Sequence, residues 1–432
     1  MRLPRRHARA LRAALLLLGT PLALGAQQAA KAAVDRPAPP VAERRVHVDT
    51  LHGDVRVDPY FWLRVKDDPA VKSYLEAENA YAKSVLAHTE PAQARLYEEM
   101  LSRIKQTDLS VPYRQRGYLY YNRTEEGKQY PILARKKGSL AAPEEVMLDV
   151  NELAKGQVYM GLGAANVSDD DNLLAYSTDS TGFRQYVLRV KDLRTGQVLP
   201  DRREKVVSVT WAADNRTLFY TVEDPAKRSY RVYRHALGQE TDDLLYEEKD
   251  ERFGVYVGRG RSGKFLYMQS GSHTTSEVRY LAADDPMGEW KVVSPRKQDV
   301  EYSVDDHIDR FYIRVNDKGR NFRLVSAPAS DPSPANWTEV VPHRADATIE
   351  DFDLFANHLV VSERRNGLNE IVVTDLRTGK SHDVAFPEPV YSAGVSVNRE
   401  FDTKKLRYSY NSFTTPPSTY DYDVAARKSD LL

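Results

Sequence analysis

Ser168-Asp-Asp-Asp-Asn-Leu-Leu-Ala-Tyr176 is a polar turn that runs directly into a short apolar strand ending on tyrosine. The pattern recurs along the chain. Strands of the form Leu/Phe-x-Tyr, or a close variant, end at Tyr120, Tyr176, Tyr220, Tyr267, Tyr312, Val361 and Tyr408, with gaps of 56, 44, 47, 45, 49 and 47 residues. Similar polar turns stand before several of them: Ala213-Asp-Asn-Arg216, Arg261-Ser-Gly-Lys264 and Asp402-Thr-Lys-Lys405. The segment Asp-Leu-Arg-Thr-Gly appears at 192–196 and again at 375–379, a separation of 183 residues, or four steps of about 46. A unit of that length holding several short strands is the size of a propeller blade. Each blade leaves apolar faces that only its neighbours cover, so the series has to close into a ring. The regular recurrence favours this over a stacked β-sandwich, and predicts an all-β, seven-bladed β-propeller over residues 111–432.

Ahead of the repeats the period changes. Asp68 is placed to cap a helix, and Pro69 suits a first turn where its missing N–H has no partner to lose. Val71, Tyr74, Leu75, Ala82, Val85 and Leu86 then follow near helical spacing. A second helix is expected from about Pro91, with Leu96, Tyr97, Met100, Leu101 and Ile104 on one face. Residues 42–110 therefore read as a short α-helical N-terminal region, whose amphipathic helices need an apolar partner.

Composition narrows the chemistry. The 432 residues include no cysteine, which excludes a disulfide framework, a thiolate nucleophile and cysteine-ligated metal. Lys+Arg and Asp+Glu both number 62, so charge gives no case for nucleic acid as a partner. Residues 1–12 carry five arginines and no acid, and Ala13–Ala26 is apolar around Leu15–Leu18. This is the layout of a cleaved signal peptide (1–26), and the run is short for a bilayer span. Arg5-Arg6 alone is a poor twin-arginine signal. Cleavage would leave 57 basic against 62 acidic side chains, a charge of −5, on an exported, periplasmic or secreted protein without a membrane anchor. Residues 27–41, rich in Ala and Pro, read as a linker.

Motifs for chemistry are scarce. Gly258-Arg-Gly-Arg-Ser-Gly263-Lys264-Phe265 approaches a phosphate-binding loop, but Phe265 replaces the metal-binding hydroxyl and a strand follows where a helix is required. It reads as a blade turn. Gly161-Leu-Gly163 lacks the rest of a dinucleotide fingerprint. Asp169-Asp170-Asp171 lacks the glycine and distal glutamate of a calcium loop and reads as a solvated turn. No histidine pair has metal-ligand spacing, no cofactor is indicated, and Ser272-His273 and His307 do not by adjacency make a triad. No G-x-S-x-G nucleophile elbow occurs. Asn122, Asn166, Asn215 and Asn336 each begin an N-x-[ST] sequon, read as chance matches.

Several stretches resemble the prolyl oligopeptidase family. His52-Gly-Asp-Val-Arg-Val-Asp-Pro-Tyr-Phe-Trp-Leu-Arg64 looks like its opening motif. Arg123-Thr-Glu-Glu-Gly-Lys-Gln-Tyr-Pro-Ile132, Tyr246-Glu-Glu-Lys-Asp250 and Thr274-Thr-Ser-Glu-Val-Arg279 are similar to its oligopeptidase B (protease II) branch. So are Glu301–Val304 with Arg310–Arg314, and Leu406-Arg-Tyr-Ser-Tyr-Asn-Ser-Phe-Thr-Thr-Pro416. The resemblance is collinear over about residues 44–432. It implies a seven-bladed propeller that caps an α/β-hydrolase domain, with the N-terminal helices packing on that domain. It implies a serine endopeptidase that cleaves short peptides after Arg or Lys, using a Ser nucleophile, a His base and an orienting Asp, while the propeller restricts substrate size.

In the family those catalytic groups lie mainly in the hydrolase domain, after the strand that matches Tyr420-Asp-Tyr-Asp423. No residue here matches one, so no catalytic residue is assigned. Glu125 and Glu126 fall, by resemblance, near the propeller–hydrolase interface and are candidate interdomain contacts. The first expectation is thus the non-catalytic part of an oligopeptidase B-like enzyme, separated by a truncated gene, a frameshift or an incomplete assembly. The alternative is a secreted non-catalytic propeller that binds a peptide or protein partner. A propeller hydrolase with its own site in the tunnel has little motif support.

Overall fold

Tyr120, Tyr176, Tyr220, Tyr267, Tyr312, Val361 and Tyr408 each lie in the second strand of a separate antiparallel sheet. In the computed structural model, which describes residues 38–432, these sheets are seven blades at 108–149, 161–204, 206–247, 254–292, 302–341, 347–383 and 391–431. The proposed leader (1–26) and most of the linker lie outside the described residues. Six blades have four strands in chain order. In blade 1 the first strand is broken into Asp108–Leu109 and Tyr113–Gln115, both paired with Tyr118–Thr124. Pro112 lies in the break, where it has no N–H to give a ladder.

The second strands of blades 2, 3 and 6 are buried in continuous runs because they are covered on both faces, whereas Phe265–Gly271, Arg310–Val315 and Lys405–Ser412 alternate in burial. In blade 3, Leu218 and Tyr220 pack against blade 2, while Phe219 between them packs against blade 4. In blade 6, Leu359 and Val361 face blade 5 and Val360 faces blade 7. Six apolar clusters form in this way, one in each seam from 1/2 to 6/7. No such cluster joins blade 7 to blade 1 among the described residues. There Arg407, paired with Asp421 at 2.8 Å, donates to the carbonyl of Pro112 at 2.7 Å. A cavity of about 580 Å³ with charged walls occupies the same seam. Both ends of the ring are built from consecutive strands, so no strand exchange fastens it.

The repeated Asp-Leu-Arg-Thr-Gly is one turn used twice, between the third and fourth strands of blades 2 and 6. Gly196 and Gly379 donate to Asp192 O and Asp375 O, each at 2.8 Å, with φ of 77° and 69°. In the turns before the second strands, Asp171, Asn215 and Gly263 take the left-handed region, at φ 61°, 57° and 78°, which those three residue types tolerate best.

The division between units falls at Lys105/Gln106, and the first blade starts at Asp108, a few residues before the expected boundary at 111. The N-terminal unit holds a hairpin, His47–Leu51 paired with Asp54–Asp58, turning on His52 and Gly53 at φ 53° and 82°. Trp62 donates to Glu43 O at 2.9 Å beneath the Arg45 guanidinium, and His47 stacks on Phe61. Asp68 caps the helix by accepting from Ala70 N at 2.8 Å. The two expected helices are a single helical run. Pro69–Leu86 passes through a 3-10 turn at Ala87–Thr89 into Glu90–Ser102. Pro91 enters at the start of the second part, where its lack of N–H tightens the turn without ending the helix.

Candidate functional site: the axial channel

First-strand residues of blades 1 to 6, with Asn398 and Arg399 from the turn after the first strand of blade 7, line a cavity of about 680 Å³. The chain enters the ring at Gln106 and ends at Leu432 on one face, the near face, because both lie at the same end of the antiparallel strands. The turns between first and second strands form the far face, where a second cavity of about 770 Å³ opens around Arg116, Arg259, Lys264 and Arg399.

Arginines and aspartates interlock across the channel. Arg259 of blade 4 reaches Asp169 of blade 2 at 2.7 Å and holds Gly263 O at 2.8 Å. Arg116 of blade 1 meets the same Asp169 at 3.5 Å and Asp171 at 3.1 Å. The acidic run expected as a solvated turn therefore ties three blades together. Arg261 pairs with Asp353, donates to Leu354 O at 2.9 Å and Asn398 O at 2.8 Å, and covers the Phe355 ring at 4.3 Å.

Blades 5 and 6 present a different wall. Asp305 and Asp351 line the channel without an ion pair among the described residues. Burial, reinforced by the neighbouring Asp306 carboxylate, pushes Asp305 up to about 7. Burial also raises Asp351 and Asp306. Gly260 allows this crowding: a Cβ there would lie 2.7 Å from Asp306 Oδ1 and 3.0 Å from Asp305 Oδ1. These residues carry no linear motif. Their only signal in the sequence is polarity on first strands, which a repeat search aligned on second strands does not weigh.

Glu125 and Glu126 stand on the near face, in the turn between the second and third strands of blade 1. Glu125 is engaged within its own blade, by Arg123 and by Lys128 at 2.6 Å. Glu126 is exposed, its backbone N–H held by Thr107 Oγ1 at 3.1 Å, with its carboxylate unpaired. The near face also carries Val158, Phe183 and Phe413, exposed by 103%, 72% and 97%.

The phosphate-loop look-alike is the turn between the first two strands of blade 4. Gly163 is small because a Cβ would meet Ser177 Oγ at 2.6 Å. Ser272 lies on the near face and His307 on the far face, where its Nε2 contacts Ala356 O at 3.1 Å, so the two do not meet. Asn166 of one sequon spends its amide on Val209 O inside the ring.

A seven-bladed ring around a charged axial channel, preceded by a hairpin and a long helix, defines the class as a propeller domain. The sequence profile described as "Prolyl oligopeptidase, N-terminal beta-propeller domain" matches residues 39–432, and the chain belongs to that family. It is 42% identical to dipeptidyl aminopeptidase BI of Pseudoxanthomonas mexicana, over 95% of this chain and 59% of that protein. It is 33% identical to protease 2 of Moraxella lacunata, over 91% of this chain and 58% of the relative. Among solved structures, oligopeptidase B from Trypanosoma brucei with covalently bound antipain superposes with a TM-score of 0.83 at 31% identity, over 91% of this chain and 60% of that one. Oligopeptidase B from Leishmania major gives the same TM-score at 28% identity, with coverage of 91% and 60%. The chain thus spans about three-fifths of the length of the proteins it matches.

Proposed function

We propose that this chain serves as the size-selecting propeller of an oligopeptidase B-like serine peptidase, acting with an α/β-hydrolase domain that supplies the Ser, His and Asp. The family match over residues 39–432, with an axial channel through the ring, carries this reading. The docking side is the near face, where both chain ends of the ring lie and where Glu126, Val158, Phe183 and Phe413 stand exposed. Substrates are short peptides cleaved after Arg or Lys, and the protein acts after export. No cofactor is required.

The test is to combine the purified chain with the hydrolase half of the Moraxella lacunata relative and assay a blocked Arg-anilide. The chain alone is expected to be inactive and the mixture active on peptides but not on folded proteins. Hydrolysis by the chain alone would overturn the reading; no association would favour the non-catalytic peptide- or protein-binding propeller instead. The 42% identity to a dipeptidyl aminopeptidase favours a second reading, release of dipeptides from a free N-terminus. Preference for an unblocked dipeptidyl-anilide separates the two. Export is checked by N-terminal sequencing of the periplasmic protein, expected to start near residue 27.

A further inference from the structure

We propose that the Gly258-Arg-Gly-Arg-Ser-Gly-Lys264 turn of blade 4 is a strap that reaches across the channel and holds both sides of the 7/1 seam, so that its release opens the ring there. The inference stands on the ring alone and does not require the peptidase reading. In a ring of seven, blade 4 stands opposite the junction of blades 7 and 1, which no apolar cluster covers among the described residues. The two arginines of the turn serve the two sides of that junction. Arg259 passes blade 3 and pairs with Asp169 at 2.7 Å. Blade 1 grips the same 168–172 turn: Arg116 donates to Ser168 O at 2.9 Å and pairs with Asp171 at 3.1 Å, and Arg135 donates to Asp171 O at 2.7 Å. Arg261 passes blade 5, pairs with Asp353 of blade 6, and donates to Leu354 O at 2.9 Å and to Asn398 O of blade 7 at 2.8 Å.

Asn398 passes the hold on to the seam itself. Its amide donates to Arg407 O at 2.9 Å and its side-chain oxygen accepts from Arg407 N at 2.8 Å. Arg407 is the residue that crosses to Pro112 O of blade 1 at 2.7 Å. One hydrogen-bonded path therefore runs from blade 4 through blade 7 to blade 1, and another runs through blade 2 to blade 1. The turn is built for the reach. Gly260, between the two arginines, fits where a Cβ would collide with the blade 5 carboxylates. Gly263, at φ 78°, turns its carbonyl to Arg259 Nε at 2.8 Å, and Lys264 donates to Ile308 O of blade 5 at 3.0 Å. A guanidinium can hold a carboxylate and two carbonyls at once, which an ammonium on a flexible stem does poorly. Such charge-assisted bonds are strong one by one, and both arginine side chains are only 15% exposed. The other six seams are held by broad apolar area, whereas this junction depends on a few directional bonds that share one anchor.

The experiment is a distance measurement across the seam. The chain has no cysteine, so spin labels can be placed cleanly at Ser139→Cys and Ala426→Cys, in exposed turns between the third and fourth strands of blades 1 and 7. Pulsed electron double resonance on the otherwise unchanged full chain should give one narrow distance. Adding Arg259→Gln and Arg261→Gln should produce a second, longer population. Amide exchange in Tyr113–Gln115 and Tyr391–Val395 should rise about tenfold or more, while Thr217–Glu223 in the 3/4 seam keeps its protection. Arg228→Gln is the control for general loss of stability. Arg228 also pairs with an aspartate and donates to three carbonyls, but it does so on the near face between blades 3 and 4. That variant should lower the melting temperature and leave the label distance unchanged. An unchanged distance in the folded double variant would overturn the proposal, and so would equal broadening in Arg228→Gln. If the double variant does not fold, Arg261→Lys decides, because it keeps the charge beside Asp353 but cannot hold both carbonyls as well. A single narrow distance in that variant would overturn the strap.

Discussion

Asp305 and His358 titrate in opposite senses, and each sign follows from its surroundings. Asp305 sits at about 7, far above the roughly 3.9 of an unfolded aspartate. Its folded form therefore holds a proton that the unfolded chain has lost, and stability declines as pH rises from about 4 to about 7. Asp305→Asn should stabilise the protein at pH 8 by about 2 kcal/mol more than at pH 5, measured by urea unfolding. Equal gains at the two pH values would show that Asp305 is ionised throughout. His358 is 3% exposed and stacked on Phe355 at 4.4 Å, with Nε2 unpartnered. Burial, with the Arg261 charge second, lowers it to about 4. Its contribution is intact above about 6.5 and is lost as pH falls towards 4, because the unfolded imidazole protonates first. His358→Phe keeps the stack and should gain about 1–2 kcal/mol at pH 5 relative to pH 7.5. No gain at pH 5 would mean that the imidazole protonates without penalty in the fold. Neither residue was legible in the sequence as a site, because burial and the surplus of charge arise only when several blades converge.

At the scale of the strand and seam, the sequence reveals the blades but not their faces. The recurrent tyrosine marks the second strand in every blade that has one, yet Tyr176 and Tyr120 share the 1/2 seam from opposite sides. A strand covered on both faces tolerates a shift of one residue, since either neighbour offers an apolar surface. The closing seam was invisible for a related reason: apolar repeats identify strands, while the 7/1 contact depends on Arg407 and a backbone carbonyl. The two kinds of seam should fail differently. Phe219→Ala empties a fully buried position between blades 3 and 4 and should cost about 3–5 kcal/mol globally. Arg407→Met removes the bond to Pro112 O and should cost about 1–3 kcal/mol. Its hydrogen-exchange protection should fall chiefly in blades 1 and 7. Uniform loss around the ring would mean that the 7/1 seam is no weaker than the others.

For the whole molecule, the N-terminal unit was the most readable part as secondary structure and the least self-sufficient. Its cap and helical spacing follow local rules, although the hairpin at 47–58 was not read and the two expected helices are one run; its apolar residues do not find a core of their own. Leu75, Leu86, Leu96, Tyr97, Met100 and Ile104 are 49% exposed or more, as are Val48, Val55 and Val57 on the hairpin. Apolar surface gathered on a helix and a hairpin of one unit is the signature of a contact surface. If the proposed hydrolase domain is what covers it, the isolated chain should bind an apolar fluorescent dye and self-associate with rising concentration. The triple variant Leu96→Glu, Tyr97→Ser, Met100→Lys should abolish dye binding without lowering the melting temperature, because none of the three side chains is buried. Adding the relative's hydrolase half should quench the dye on the wild type and leave the variant unaffected. Dye binding that survives the triple change would place the exposed apolar surface elsewhere, on the near face around Phe183 and Phe413. In that case the ring itself, and not the helix, makes the main contact with the catalytic domain.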